Sequence, residues 1–232
     1  MPAIHLFGGE KGGVGKSMVC RAAISYHLDQ KLDFTVFDTD RSNPDVKRIY
    51  TQDAHCRVAV FSEGEKYEDT ANAIFNAALN QRVLVNLPAQ VFIPVRTWIE
   101  QNELLALAQE SDVRFYNWFV SDCGYDSLNL LVRSLEYFKT EVTHILVKNM
   151  GMTDDWEPLA TDDRLQRLIA KYGVKVVDFP KFIGNVDRNT IDSLSLTFAQ
   201  AREHQEFGPI SRQRVKSFLR KAYAAFETTG VF

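Results

Sequence analysis

The chain has 232 residues, 45% hydrophobic and 25% charged, which suits one α/β domain with a sizeable core and excludes wholesale disorder. Its 27 Lys and Arg stand against 30 Asp and Glu, a net charge of −3 that excludes a coat of basic charge for nucleic acid but not a local basic patch. No apolar run approaches the ~18 residues of a membrane span, the first residues lack a secretory n-region, and Cys20, Cys56 and Cys123 form no CxxC pair, so a cytoplasmic location without stable membrane insertion is expected.

Short β-rich runs alternate with longer helical patterns along the whole chain. Residues 3–7 predict an apolar strand, followed by a glycine-rich loop and a helix over about 17–30. Strands follow at 34–38 and 57–61, then a helix with Ala71, Ile74, Phe75 and Ala78 on one face, and a strand at 82–87. A helix over 95–109, a strand at 115–120 and a helix over 127–138 come next. The last alternation is a strand at 144–147, a helix over 164–172 and a strand at 174–179. This pattern predicts an α/β fold, a doubly wound and mainly parallel sheet with helices on both faces. No linker or repeat interrupts it, so residues 1–232 are read as a single domain.

The run Gly8-Gly9-Glu10-Lys11-Gly12-Gly13-Val14-Gly15-Lys16-Ser17 follows the first strand and opens the first helix. Glycines let the backbone curl so that successive N–H groups converge on phosphate oxygens at the positive end of a helix. Lys16 then reaches the β- and γ-phosphates, and the Ser17 hydroxyl ligates Mg²⁺. Glu10 stands where the usual GxxxxGKS/T pattern has its first glycine, and Lys11 precedes the glycine pair. This KGGxGKS/T form resembles the deviant Walker A loop of the ParA/MinD family of ATPases. The resemblance implies a P-loop NTPase fold of the deviant Walker type, with ATP and Mg²⁺ as cofactors. It implies nucleotide contacts from Glu10 through Met18, namely Glu10, Lys11, Gly12, Gly13, Val14, Gly15, Lys16, Ser17 and Met18. It also implies a face-to-face dimer in which Lys11 contacts the nucleotide of the other subunit, making Lys11 and Lys16 catalytic.

The second strand ends Asp38-Thr39-Asp40, where carboxylates beside a P-loop sit near Mg²⁺ and the attacking water. The run resembles the family's switch I, which implies that Asp38, with Ser17, holds the metal shell and that Asp40 orients the water. Without the P-loop, the same residues read as a turn with Asp40 capping the next helix. Asn86-Leu87-Pro88-Ala89-Gln90 resembles the family's switch II segment, DxPAG, with Asn in place of Asp and Gln in place of Gly. Asn adds no charge to attract Mg²⁺, and Gln lacks glycine's backbone freedom, so slow hydrolysis is expected. Asp122, after the strand at 115–120, offers a compensating carboxylate.

The strand ending Lys148-Asn149-Met150 resembles the family's adenine-contacting Asn position. Met150 stands where a guanine-specific NKxD motif would place its Asp, which favours ATP over GTP. Pro180 is assigned to the nucleotide on the same basis, although Phe179-Pro180 reads equally as a core Phe and a turn Pro. Near the end, Arg212, Arg214, Lys216, Arg220 and Lys221 occur within 211–226 without an acid, opposite an apolar face of Val215, Phe218, Leu219, Ala222 and Phe226. A basic helix over about 209–228 is predicted, with Arg212, Lys216 and Arg220 contacting DNA phosphates or an acidic partner, or simply solvated. Phe179-Pro180, the stretch from Asp187 to Asp192, and Leu196-Thr197-Phe198-Ala199-Gln200-Ala201 look like the TraL-type proteins of plasmid conjugal transfer.

Taken with the resemblance, the sequence predicts a dimerising ATPase switch in plasmid or DNA partition, maintenance or conjugal transfer. Its expected partners are a second copy in the ATP state, nonspecific DNA, and a protein that stimulates hydrolysis. The alternative is a nucleotide-binding regulatory module with little or no hydrolysis.

Overall fold

A computed structural model describes residues 1–61 and 68–232. Seven strands form one sheet: β1 (Ala3–Gly8), β2 (Phe34–Asp38), β3 (Cys56–Val58), β4 (Arg82–Asn86), β5 (Arg114–Ser121), β6 (Thr143–Asn149) and β7 (Lys175–Phe179). Their order is β3-β2-β4-β1-β5-β6-β7, and every pairing is parallel. The mainly parallel sheet expected from the sequence is thus fully parallel among the described residues. β1, at its centre, is buried at every position, as a strand covered on both faces must be.

The longest helices are α1 (Lys16–Asp29), α3 (Glu68–Ala78), α6 (Tyr125–Phe138) and α11 (Pro209–Glu227). Shorter ones are α2 (Asp45–Tyr50), α4 (Phe92–Gln101), α5 (Leu104–Glu110), α7 (Glu157–Thr161), α8 (Asp163–Lys171), α9 (Asn185–Ser193) and α10 (Phe198–Ala201). On one face, α1, α2, α10 and α11 cover a core containing Trp118, Tyr50, Phe179 and Phe226. On the other, α3, α4 and α5 cover Phe37, Val85 and Phe115, while α6 and α8 cover Phe119 and Leu146.

The structure departs from the sequence reading in three respects. The helix expected over 95–109 is two helices, broken where Glu103 takes a left-handed φ of 48°. The strand expected at 57–61 is only Cys56–Val58, an edge strand whose Val58 is exposed. α2, α7 and α10, of four to six residues, are too short to stand out as a helical period in the sequence, and α9 has only Val186 and Ile191 as apolar positions. The basic helix expected over 209–228 is present as α11, preceded by Gly208 and opened by Pro209 at its first turn.

Candidate nucleotide-binding site

The C-terminal ends of β1, β2, β4 and β5 lie side by side, and the loops leaving them build one site. The loop from β1 to α1 depends on glycine at two places. Gly9 has φ 151°, and a Cβ there would lie 2.3 Å from the Val120 carbonyl oxygen. Gly15 has φ 96°, and a Cβ there would lie 2.3 Å from Asn149 Nδ2. The loop therefore packs against β5 and β6 without side chains between, with Gly12 and Gly13 exposed at its tip. Val14 is buried beneath it, Ser17 is half-buried in the first turn of α1, and Met18 packs against the core.

Lys16 is buried, and its ammonium donates to the Lys11 carbonyl at 2.8 Å. Burial lowers its pKa, while Glu10 and Asp40 oppose that shift. A desolvated cation ringed by glycine backbone is what an oligophosphate needs. Glu10 ties the loop to the β4 exit: its carbonyl accepts from Gln90 N–H at 2.9 Å, and its Oε1 accepts from Val91 N–H at 3.2 Å. Burial raises its pKa. Gln90 keeps the left-handed backbone, φ 57°, that glycine would adopt at no cost. Pro88, two residues earlier, is half-buried.

Asp38 is buried at the end of β2, directly opposite Asn86 of β4. Its Oδ1 accepts from Asn86 Nδ2 at 3.0 Å, and its Oδ2 accepts from Lys47 N–H at 2.9 Å. Burial raises the Asp38 pKa, and these hydrogen bonds pull the other way. An Asp at position 86 would set two carboxylates in contact, whereas Asn donates to the one that remains. Asn86 Oδ1 is buried and has no partner among the described residues, leaving an acceptor free for a water or ligand beside Asp38. Asp40 Oδ1 accepts from the amides of Ser42 and Asn43, both at 3.0 Å, so it shapes the loop between β2 and α2 and does not cap α2.

Lys11, half-exposed, forms an ion pair with Asp122 at 2.7 Å. The pair raises the pKa of Lys11. Burial alone would raise that of Asp122, but the bonds from Lys11 and from Gly124 N–H outweigh it and hold the carboxyl low. A Cβ at Gly124 would sit 3.0 Å from Lys11 Nζ, so glycine makes the room. Asp122 lies on the β5 side of β1, away from Asp38 and Asn86 on the β2–β4 side. It grips the loop lysine and does not replace the missing carboxylate of β4. Asn149 is buried under the loop, donating to the Val14 carbonyl at 2.7 Å and accepting from Gly151 N–H at 3.0 Å. Phe179 is core, against Phe218 and Phe226, which settles its double reading, and Pro180 is half-buried at the start of the next loop.

No protein-family model matches the chain. Over 100% of its length it superposes on MinD from Aquifex aeolicus, covering 98% of that chain with TM-score 0.56 and 12% identity. The Aquifex aeolicus MinC:MinD cell division complex gives TM-score 0.57 at 11% identity, covering 100% of this chain and 97% of that one. The chain has the MinD-type P-loop fold. A nucleotide-binding protein from Archaeoglobus fulgidus, solved with ADP, matches with TM-score 0.50 at 18% identity over 83% of this chain and 86% of that chain. In sequence, Protein MobD of Acidithiobacillus ferrooxidans is 25% identical over 185 residues, 79% of this chain and 80% of that protein.

On this MinD-type scaffold α11 lies far along the chain from the loop, and its basic residues divide into three groups. Lys216 and Arg220 are exposed beside Arg202 and Tyr223. Arg212, of the same predicted patch, instead donates to the His204 carbonyl at 2.9 Å and buries its Nε. Arg214 and Lys221 face a separate groove. No helix among the described residues is long and apolar enough to cross a membrane.

Proposed function

We propose that this protein is a nucleotide-driven switch, an ATPase that binds ATP with Mg²⁺ and pairs with a second copy of itself. The observation that carries the reading is the strand–loop–helix of β1 and α1, in which a buried Lys16 lies within a glycine backbone packed directly on Asn149 and Val120. Lys16 binds the phosphates, Asn149 and Pro180 border the base, and Ser17 with Asp38 holds Mg²⁺, which when bound neutralises phosphate charge. Mg²⁺ is ordinarily held by one or two protein oxygens plus substrate and water, so this small donor set fits it. Asp40 orients the water, and Lys11, once released from Asp122, reaches the partner's nucleotide. Positioning and charge do most of such chemistry.

The process is the transfer or maintenance of plasmid DNA, a reading supported by the likeness to MobD and by the TraL-like residues 179–201. The cytoplasm is its site of action, and residues 1–232 act as one unit. Lys216 and Arg220 are the DNA contacts; Arg212 is a weaker candidate because its guanidinium is already engaged. A second reading, a nucleotide-binding module with negligible turnover, draws on the uncharged Asn86 beside Asp38.

Size-exclusion chromatography with ADP and then with a non-hydrolysable ATP analogue tests the switch, and a phosphate-release assay separates the two readings. A monomer in both nucleotides would sink the dimerising switch. Lys16→Ala should weaken binding of a fluorescent ATP analogue by about 100-fold, the worth of one or two charge-assisted hydrogen bonds.

A further inference from the structure

The loop after β7 and the start of α11 enclose a groove of about 440 Å³ on the outer surface. Its apolar wall is Ile183, Ile210 and Phe218, and three cations, Lys181, Arg214 and Lys221, line it as well. Among the described residues no carboxylate lines it, although Asp187 neutralises Arg214 through a 2.9 Å ion pair. Ile183 is 60% exposed and Ile210 71%, and Val186 nearby in sequence is 78% exposed. Two large aliphatic side chains exposed on one groove are a cost that a docking partner would remove.

We infer that this groove docks a segment of a partner protein that presents a large apolar side chain flanked by carboxylates. The charge balance argues for it: two uncompensated lysines border an apolar slot, so the complementary ligand is apolar at its centre and acidic at its edges. Duplex DNA fits poorly, since phosphate contacts use cations and gain nothing from an isoleucine wall. The separate stripe of Lys216 and Arg220 is the part of α11 suited to phosphates, although Glu203 lies 3.9 Å from Lys216 Nζ. A bilayer fits poorly as well, because α11 turns its own apolar face, Val215, Phe218, Leu219, Ala222 and Phe226, into the core.

The groove is joined to the switch loop through α9. At the C-terminal end of α9, Asp192 accepts from Arg21 of α1 at 2.6 Å, and its carbonyl accepts from Arg48 of α2 at 3.3 Å. Arg48 also bonds Ser195, and the neighbouring Lys47 amide is held by Asp38. At the N-terminal end, Asp187 holds Arg214 of the groove, and a Cβ at Gly184 would be 2.7 Å from Asp187 Oδ2. A shift of the Asp38 to Arg48 segment therefore pulls on a helix whose other end holds Arg214, a residue that lines the groove. This nucleotide dependence rests on the function proposed above; the docking itself does not.

The test pans a random-peptide phage library on the full chain without nucleotide, then measures the enriched peptide by fluorescence anisotropy. Enriched sequences should carry a large apolar residue and a net negative charge. Affinity should fall about tenfold or more in Ile210→Asp and in Lys221→Glu. A peptide with Lys in place of one acid should regain affinity for Lys221→Glu only. No enrichment, or binding indifferent to both variants, overturns the groove. So does a short DNA duplex, or a phosphatidylcholine–phosphatidylglycerol vesicle, whose binding is lost in Ile210→Asp while the peptides fail. Repeating the titration with ADP and with the ATP analogue tests the link through α9: the difference should vanish in Arg48→Ala while nucleotide-free binding stays. Equal affinity in all nucleotide states overturns that link and leaves the docking intact.

Discussion

Lys11 Nζ lies 2.7 Å from Asp122 Oδ2 of the same chain, across 111 positions of sequence. The lysine that would reach into a second subunit is thus already held at home. Its side chain is 37% exposed, and exposed ion pairs contribute little, so the hold is weak and reversible. Asp122→Asn should therefore strengthen analogue-dependent dimerisation by no more than about fivefold. Lys11→Ala should abolish dimerisation while monomer nucleotide affinity changes little. Light scattering across a concentration series measures both, and a dimer that survives Lys11→Ala removes the lysine from the interface.

Asp40 uses one oxygen to hold the amides of Ser42 and Asn43. Asp40→Ala should cost stability by about 1 kcal/mol, the loss of local hydrogen bonds near the surface. Asp40→Asn keeps an acceptor and should restore that stability. If Asp40 orients water through its charge, both variants bind the ATP analogue normally and both lose phosphate release. Turnover restored in Asp40→Asn would assign the residue a loop-shaping role alone.

Asn86→Asp would set a second carboxylate within reach of the buried Asp38. The two carboxylates would repel, raising the pKa of one of them, and the melting temperature should drop by about 2–6 °C. Adding Mg²⁺ with the ATP analogue should raise the melting temperature more in this variant than in wild type, because the added carboxylate attracts the cation. An equal rise in both would place the metal away from position 86.

His27 donates from Nδ1 to the Ala23 carbonyl, and its Nε2 is buried without a partner among the described residues. Burial lowers its pKa from 6.5 to about 4, and burial likewise lowers that of His5, which accepts from Trp118 Nε1. The folded state keeps these rings neutral while the unfolded chain protonates them. Their stabilisation is therefore complete above pH 6.5 and is lost as pH falls towards 4. For His27 alone the loss by pH 5 is about 2 kcal/mol. Burial raises the carboxyls of Asp38 and Glu10, which act in the opposite sense, so the comparison is with His27→Leu. Urea midpoints between pH 7 and 5 should fall more steeply in wild type than in His27→Leu, and parallel curves would refute the assignment.

The strands were legible because a parallel sheet buried on both faces leaves apolar runs such as Leu84 and Val85, and the loop was legible because its chemistry is local. The glycine spacing and the Lys16-Ser17 pair that opens α1 stand together in sequence, although the close contacts that require Gly9 and Gly15 come from Val120 and Asn149. Tertiary packing decided the rest. The break at Glu103 lies within an uninterrupted helical pattern, and only the packing of α4 and α5 against the sheet reveals it. Phe179 could not be sorted between core and ligand until Phe218 and Phe226, far along the chain, closed over it. Arg212 resembles its exposed neighbours in sequence, yet the His204 carbonyl claims it. The partners of Lys11 and Asp192 lie more than a hundred residues away, and no local pattern encodes a pairing made by adjacent strand ends. A single sequence specifies what a segment prefers; which distant side chain answers it is decided when the sheet sets β1 beside β5.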